Sequence, residues 1–125
     1  VTLIGHLDEE EKRRRLGEAK ALLFNARGED FGIVPIEAFA SGTPVIGVAE
    51  GYTQYQIMEG KNGISYERGI ENIRTSIREF EENGVEWNDG RIQNNAQRYS
   101  VECFRTRMRE LAEMANKKTN IDTSR

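Results

Sequence analysis

The segment Gly28-Glu29-Asp30-Phe31-Gly32-Ile33-Val34-Pro35-Ile36-Glu37-Ala38-Phe39-Ala40-Ser41-Gly42-Thr43-Pro44-Val45-Ile46 constrains the fold more than any other part of the chain. Pro35 suits the first turn of a helix, where its missing N–H is no loss, and the apolar residues around it predict a short helix over 34–40. Gly42 is placed to end that helix in a left-handed conformation, and Pro44 cannot continue it. Val45-Ile46-Gly47-Val48 then follows as a buried strand. Glu29 stands in the loop before the helix and Glu37 about one turn inside it, with seven residues between them. A loop, a helix and a strand in this order put two carboxylates and several free backbone N–H groups at one end of a parallel sheet, the edge at which open α/β folds bind ligands.

The rest of the chain reads as strands alternating with helices. Apolar runs predict strands over 1–4, within 19–25, and over 63–66, and helices are expected over 7–15, 54–59 and 70–80. In the helix over 7–15, acids precede bases as the helix dipole prefers, and its charge run reads as a solvated face. The helix that begins at Ile70 breaks at Asn83-Gly84. A further helix covers 89–99, and Phe104, Met108, Leu111 and Ala115 make the apolar stripe of a last one, with 117–125 a polar, frayed tail. Such alternation implies right-handed crossovers and a parallel sheet layered α/β/α. Four short strands amount to part of a doubly wound, Rossmann-like domain whose first βαβ unit is missing, so the chain reads as a piece of something longer.

Composition narrows the function classes. A net charge of −3 gives no support to nucleic-acid binding, which needs a basic face for phosphate. The single cysteine, Cys103, can make no internal disulfide and reads as a packing residue, and the absence of a Cys/His cluster leaves no zinc site. A reducing, cytoplasmic compartment fits. No apolar run approaches the roughly 20 residues that span a bilayer. His6, at the end of the first expected strand, reads as a half-exposed structural residue, and Lys61 and Asn62 as turn residues.

The chemistry of the central segment points to a ligand carrying both phosphate and polyol groups. Backbone N–H groups near Phe31, Gly32 and Ile33 precede or open the helix without helical partners, and an anion at such an end gains about 0.3–1 kcal/mol per contact. Gly32 lets backbone approach a ligand without an intervening Cβ. A carboxylate beside that site can accept from the vicinal hydroxyls of a ribose or hexose. Spacing alone equally allows Glu37 to serve only the helix dipole.

The stretch from Glu29 to Ile46 resembles the signature of the retaining GT-B glycosyltransferases of group 1, family 4. Gly5 after the opening apolar run, the Glu59-Gly60-Lys61-Asn62-Gly63-Ile64 turn and the closing helix extend the resemblance over 1–116, and that span is then a partial nucleotide-sugar-binding domain. It implies that Glu37 binds the ribose hydroxyls of a nucleotide-diphosphate sugar and that Glu29 acts at the reacting centre on hydroxyls of the donor sugar. Phe31, Gly32 and Ile33 would offer N–H groups to the sugar and distal phosphate. It further implies transfer with retention to a glycan or lipid-linked acceptor, with neither a metal nor a cofactor. The Asp30-Phe31-Gly32-Ile33-Val34-Pro35 wording is similar to that of mannosyl-transferring members, which brings in GDP-mannose as a donor. In the family, a basic phosphate-binding pair and an acceptor-binding N-terminal domain lie upstream of the part matched here. The fragment alone is therefore expected to be inactive, and any peripheral association with the inner membrane face would come through that domain. One local departure stands out: Tyr52 replaces the second glycine of a pair begun by Gly51, and Gln54 or Gln56 replaces the usual acid. A non-catalytic nucleotide-sugar-binding module, or a sugar-nucleotide epimerase or phosphorylase of the same architecture, remains the alternative.

Overall fold

The computed structural model describes residues 1–83, 87 and 89–123. Its sheet has three parallel strands in the order β1 (Leu22–Phe24), β2 (Val45–Val48), β3 (Gly63–Tyr66). Leu22 lies opposite Val45, and Val45 opposite Gly63, so the three strands start in step. Helix α1 (Glu9–Glu18) precedes β1, α2 (Ile33–Ala40) joins β1 to β2, and α3 (Thr53–Gln56) joins β2 to β3. The chain continues through α4 (Ile70–Glu82), α5 (Asp89–Ala96), a 3-10 turn (Gln97–Tyr99) and α6 (Val101–Thr123).

Strand β2 is buried along its whole length, as a parallel strand covered on both faces must be, and its side chains alternate between two cores. Val45 packs with Ala38, Phe39, Ile57 and Ile92, joined by Leu16 of α1 and by Leu22 and Phe24 of β1. Ile46 and Val48 turn to the other face and meet Tyr66 together with Ile73, Ile77 and Phe80 of α4. Helices α1, α2 and α5 thus cover one face and α4 the other, giving the expected α/β/α layering. Trp87 stacks on Phe80 with ring centroids 5.6 Å apart.

Several expectations change. Residues 1–4 form no strand: Val1 and Leu3 are fully or almost fully exposed, and Ile4 is half exposed. An apolar run becomes a strand only when a neighbour takes its N–H and C=O groups, and among the described residues none lies beside it. Second, the apolar stripe of α6 exists but packs on little. Val101, Phe104, Met108, Leu111 and Met114 are all exposed, and among the described residues α6 leans appreciably only on the 3-10 turn before it. Cys103, at the start of that helix, is exposed rather than packed. Third, Asn62 is fully buried and more than a turn residue: its amide accepts from Met58 N at 2.7 Å and donates to Gln56 O at 3.0 Å.

Helix α6 runs without a break through Lys117, where the polar tail was expected to begin, while residues 124 and 125 lie outside the described residues. Asn83 caps α4, and Gly84, the second half of the expected break, lies outside them too. Among the described residues no helix is long and apolar enough to cross a membrane.

Candidate active site

Glu29 sits in the loop from β1 to α2 and Glu37 in the second turn of α2, both beyond the carboxyl end of β1. Helix α2 has no side-chain cap. Gly32 precedes it with φ 75°, a conformation that brings the loop sharply into the helix and that glycine adopts at little cost. The N–H groups that head α2, from Ile33 onward, have no intrahelical acceptors and face the loop, as expected for an anion-accepting helix end.

The half-buried Glu29 carboxylate folds back on its own loop: Oε1 accepts from Gly32 N at 2.9 Å. One of the three backbone donors expected to serve a ligand is therefore engaged internally. Phe31, whose N–H also belongs to that set, puts its ring over Tyr52 at 5.3 Å and edge-on to Tyr99 at 6.0 Å. Ile33 is exposed. Arg98 lies over the Tyr99 ring, 4.8 Å from its centroid, and burial pushes the Tyr99 phenol above its ordinary pKa.

Glu37 points into a cleft of about 400 Å³ between α1 and α2, lined also by Glu9, Lys12, Arg13 and Ser41. Its Oε1 accepts from Lys12 Nζ at 3.0 Å, and Lys12 reaches Glu9 at 2.9 Å. These hydrogen bonds, from Glu9 first and Glu37 second, raise the Lys12 pKa above its ordinary value. Glu37 lies beyond the first turn of α2, outside the range over which the dipole acts strongly, so a partner rather than the dipole holds it. Lys12 therefore does more than its neighbours in the solvated charge run of α1.

The loop after β2 closes over Glu29. Tyr52 N donates to Glu29 O at 3.0 Å, and a Cβ on Gly51 would come within 2.4 Å of the same oxygen. Tyr52 thus fixes both the backbone of Glu29 and the ring of Phe31. Gln54 donates to Gly51 O at 2.9 Å, holding the turn from outside. Gln56 is fully buried, and its amide donates to both Phe31 O and Gly32 O, the latter at 3.0 Å. In the sequence Gln56 stands out only as a substitute for an acid.

Farther along the same sheet edge, Arg68 after β3 grips Glu50 with two bonds of 2.8 and 2.9 Å and donates to Ala26 O at 2.8 Å. The hydrogen bond from Arg68, reinforced by its charge, holds the Glu50 carboxyl below the usual carboxylate range. Tyr66 OH donates to Asn25 Oδ1 at 2.9 Å, so the segments leaving all three strands are tied together. His6 is exposed and stands apart from these contacts. Among the described residues no three His, Cys, Asp or Glu side chains gather as metal ligands do.

The chain matches the sequence model described as "Glycosyl transferases group 1" over residues 1–99. It belongs to the group 1 glycosyltransferases. The fold agrees: sucrose-phosphate synthase from Thermosynechococcus elongatus superimposes with a TM-score of 0.74 at 23% identity, over 94% of this chain and 30% of that one. At that identity the likeness speaks for the fold, a Rossmann-like α/β domain of GT-B type. This group 1 chain spans less than a third of the length of that solved structure. No curated protein matches it significantly.

Proposed function

We propose that the protein to which this chain belongs transfers a sugar, with retention of anomeric configuration, from a nucleotide-diphosphate-sugar donor to a glycan or lipid-linked acceptor. GDP-mannose is the donor that the wording of the central segment favours. The observation that carries the proposal is the placement of Glu29 and Glu37 on either side of the start of α2, at the carboxyl edge of a parallel sheet in a group 1 chain.

In this reading Glu37 takes the ribose hydroxyls. A carboxylate accepts through both oxygens, so the Lys12 contact on Oε1 leaves acceptor capacity for a diol, while Lys12 aims the carboxylate into the cleft. Glu29 takes hydroxyls of the donor sugar beside the reacting carbon. The N–H groups of Phe31 and Ile33 face the sugar and distal phosphate, while the Gly32 N–H holds Glu29; the helix end stabilises the charge that builds on the leaving diphosphate. No metal or other cofactor is required by this scheme. The work would be done in the cytoplasm, with membrane association, if any, supplied from outside this chain.

Glu29→Gln in the intact protein is the test. Turnover with the preferred sugar nucleotide is expected to fall about 100-fold, the scale set by misplacing a reacting group. Affinity for the matching nucleoside diphosphate should stay near native, and NMR of the native product should show the donor's anomeric configuration. Unchanged turnover in the variant would remove Glu29 from the reaction.

A further inference from the structure

We propose that Gln56 is a positioning residue that sets Glu29 for reaction through a single peptide group. The inference rests on the reading of Glu29 as the residue that contacts the donor sugar. The carbonyl of Phe31 and the N–H of Gly32 are the two ends of one peptide. Gln56 Nε2 donates to that carbonyl, and the Gly32 N–H donates to Glu29 Oε1 at 2.9 Å. A donor placed on a peptide oxygen polarises the group and strengthens its N–H, by about 10–30% per bond in such chains. The carboxamide of Gln56 therefore both orients the peptide and tightens its hold on the Glu29 carboxylate.

The same nitrogen donates to Gly32 O at 3.0 Å. That oxygen belongs to the next peptide, whose N–H is Ile33's, the first of α2. One side chain thus fixes the donor that holds Glu29 and the adjoining donor at the helix end. Gln56 is itself held: its backbone carbonyl accepts from Asn62 Nδ2 at 3.0 Å and Arg98 Nη2 at 3.1 Å. The amide can face only this way, because the flipped form would press Oε1 against two carbonyl oxygens.

The oxygen end of the amide is the unusual part. Gln56 Oε1 is buried without a hydrogen-bond partner, 3.3 Å from where a Gly32 Cβ would stand. A glutamine kept only for packing would lose nothing by becoming apolar at that end. Here both amide hydrogens are committed to the loop that carries Glu29, and an unpaired oxygen is tolerated as the consequence.

Gln56→Met keeps the length of the side chain and removes both donors. Calorimetry on the intact protein should compare GDP, UDP and ADP with GDP-mannose, UDP-glucose and ADP-glucose, giving the gain in affinity that the sugar adds. Gln56→Met is expected to cut that gain about tenfold, while the diphosphate, which can lose only its contact with the Ile33 N–H, weakens by clearly less. Equal weakening of diphosphate and sugar nucleotide, or native behaviour of both, overturns the proposal. If the native protein binds none of the six ligands, it is the donor-site reading itself that fails. Should Gln56→Met not fold, glutamine-labelled protein gives a second answer by NMR. Glu29→Gln should shift the side-chain amide resonances of Gln56, and unshifted resonances would overturn the coupling.

Discussion

Phe39→Ala is expected to destabilise the protein by about 3–5 kcal/mol, the range for removing a large aromatic side chain from a packed core. Phe39 is completely buried and packs with Ala38, Val45, Ile57 and Ile92, where α2, β2 and α5 meet. A domain's whole stability is about 5–15 kcal/mol, so this one change removes a large share of it. Because Phe39 and Glu37 share α2, the loss also loosens the helix that presents the carboxylate. Urea titration read by circular dichroism checks this through a large fall in the midpoint. A midpoint near native would mean that α2 does not pack on the sheet as described.

Gly51→Ala is the second change with a large expected effect, and it acts on the site itself. Gly51 has φ 55°, and a Cβ there would lie 2.4 Å from Glu29 O and 3.3 Å from Glu29 C. Neither atom is the end of a flexible side chain, so the two loops must separate, breaking the 3.0 Å bond from Tyr52 N to Glu29 O. Left-handed strain in alanine alone costs about 1–2 kcal/mol. Gly60→Ala isolates that strain, since Gly60 has φ 70° with nothing within 4 Å of its Cβ position. Gly51→Ala should be clearly less stable than Gly60→Ala and should lose sugar-nucleotide binding, which Gly60→Ala keeps. Equal stability and equal binding in the two variants would show that the Gly51 loop does not rest on Glu29.

The parts of this fold that could be read in the sequence are those specified locally. The bounds of β2 and β3 follow from short apolar or β-prone runs between glycine, proline and asparagine turns, and α2 from Pro35 at its start and Gly42 after its end. Residues 1–4 show the limit: their apolar character is local, but pairing is not, and a strand without a neighbour remains an exposed segment. The same division runs through the site. Glu29 and Glu37 stand in one contiguous motif. The residues that hold them come from elsewhere: Lys12 lies 25 positions from Glu37, and Gln56 24 from Gly32. Lys12 looked like its charged neighbours in α1, because nothing local distinguishes the one lysine that reaches across to α2. A signal for Gln56 did exist. Thr53, Gln56 and Ile57 fall at i, i+3 and i+4, all three are buried, and a polar residue on such a face needs partners within the protein.

The central claim is that Glu37 belongs to a nucleotide site, and calorimetry tests it most directly. GDP, UDP and ADP should be titrated into the intact protein and into Glu37→Ala. One diphosphate is expected to bind natively in the micromolar range and to lose about 10- to 100-fold in the variant, as removal of a charged hydrogen-bond acceptor implies. Binding that is unchanged in Glu37→Ala, or no binding of any diphosphate to the native protein, would contradict it. The glutamate would then be a partner for Lys12 and no more.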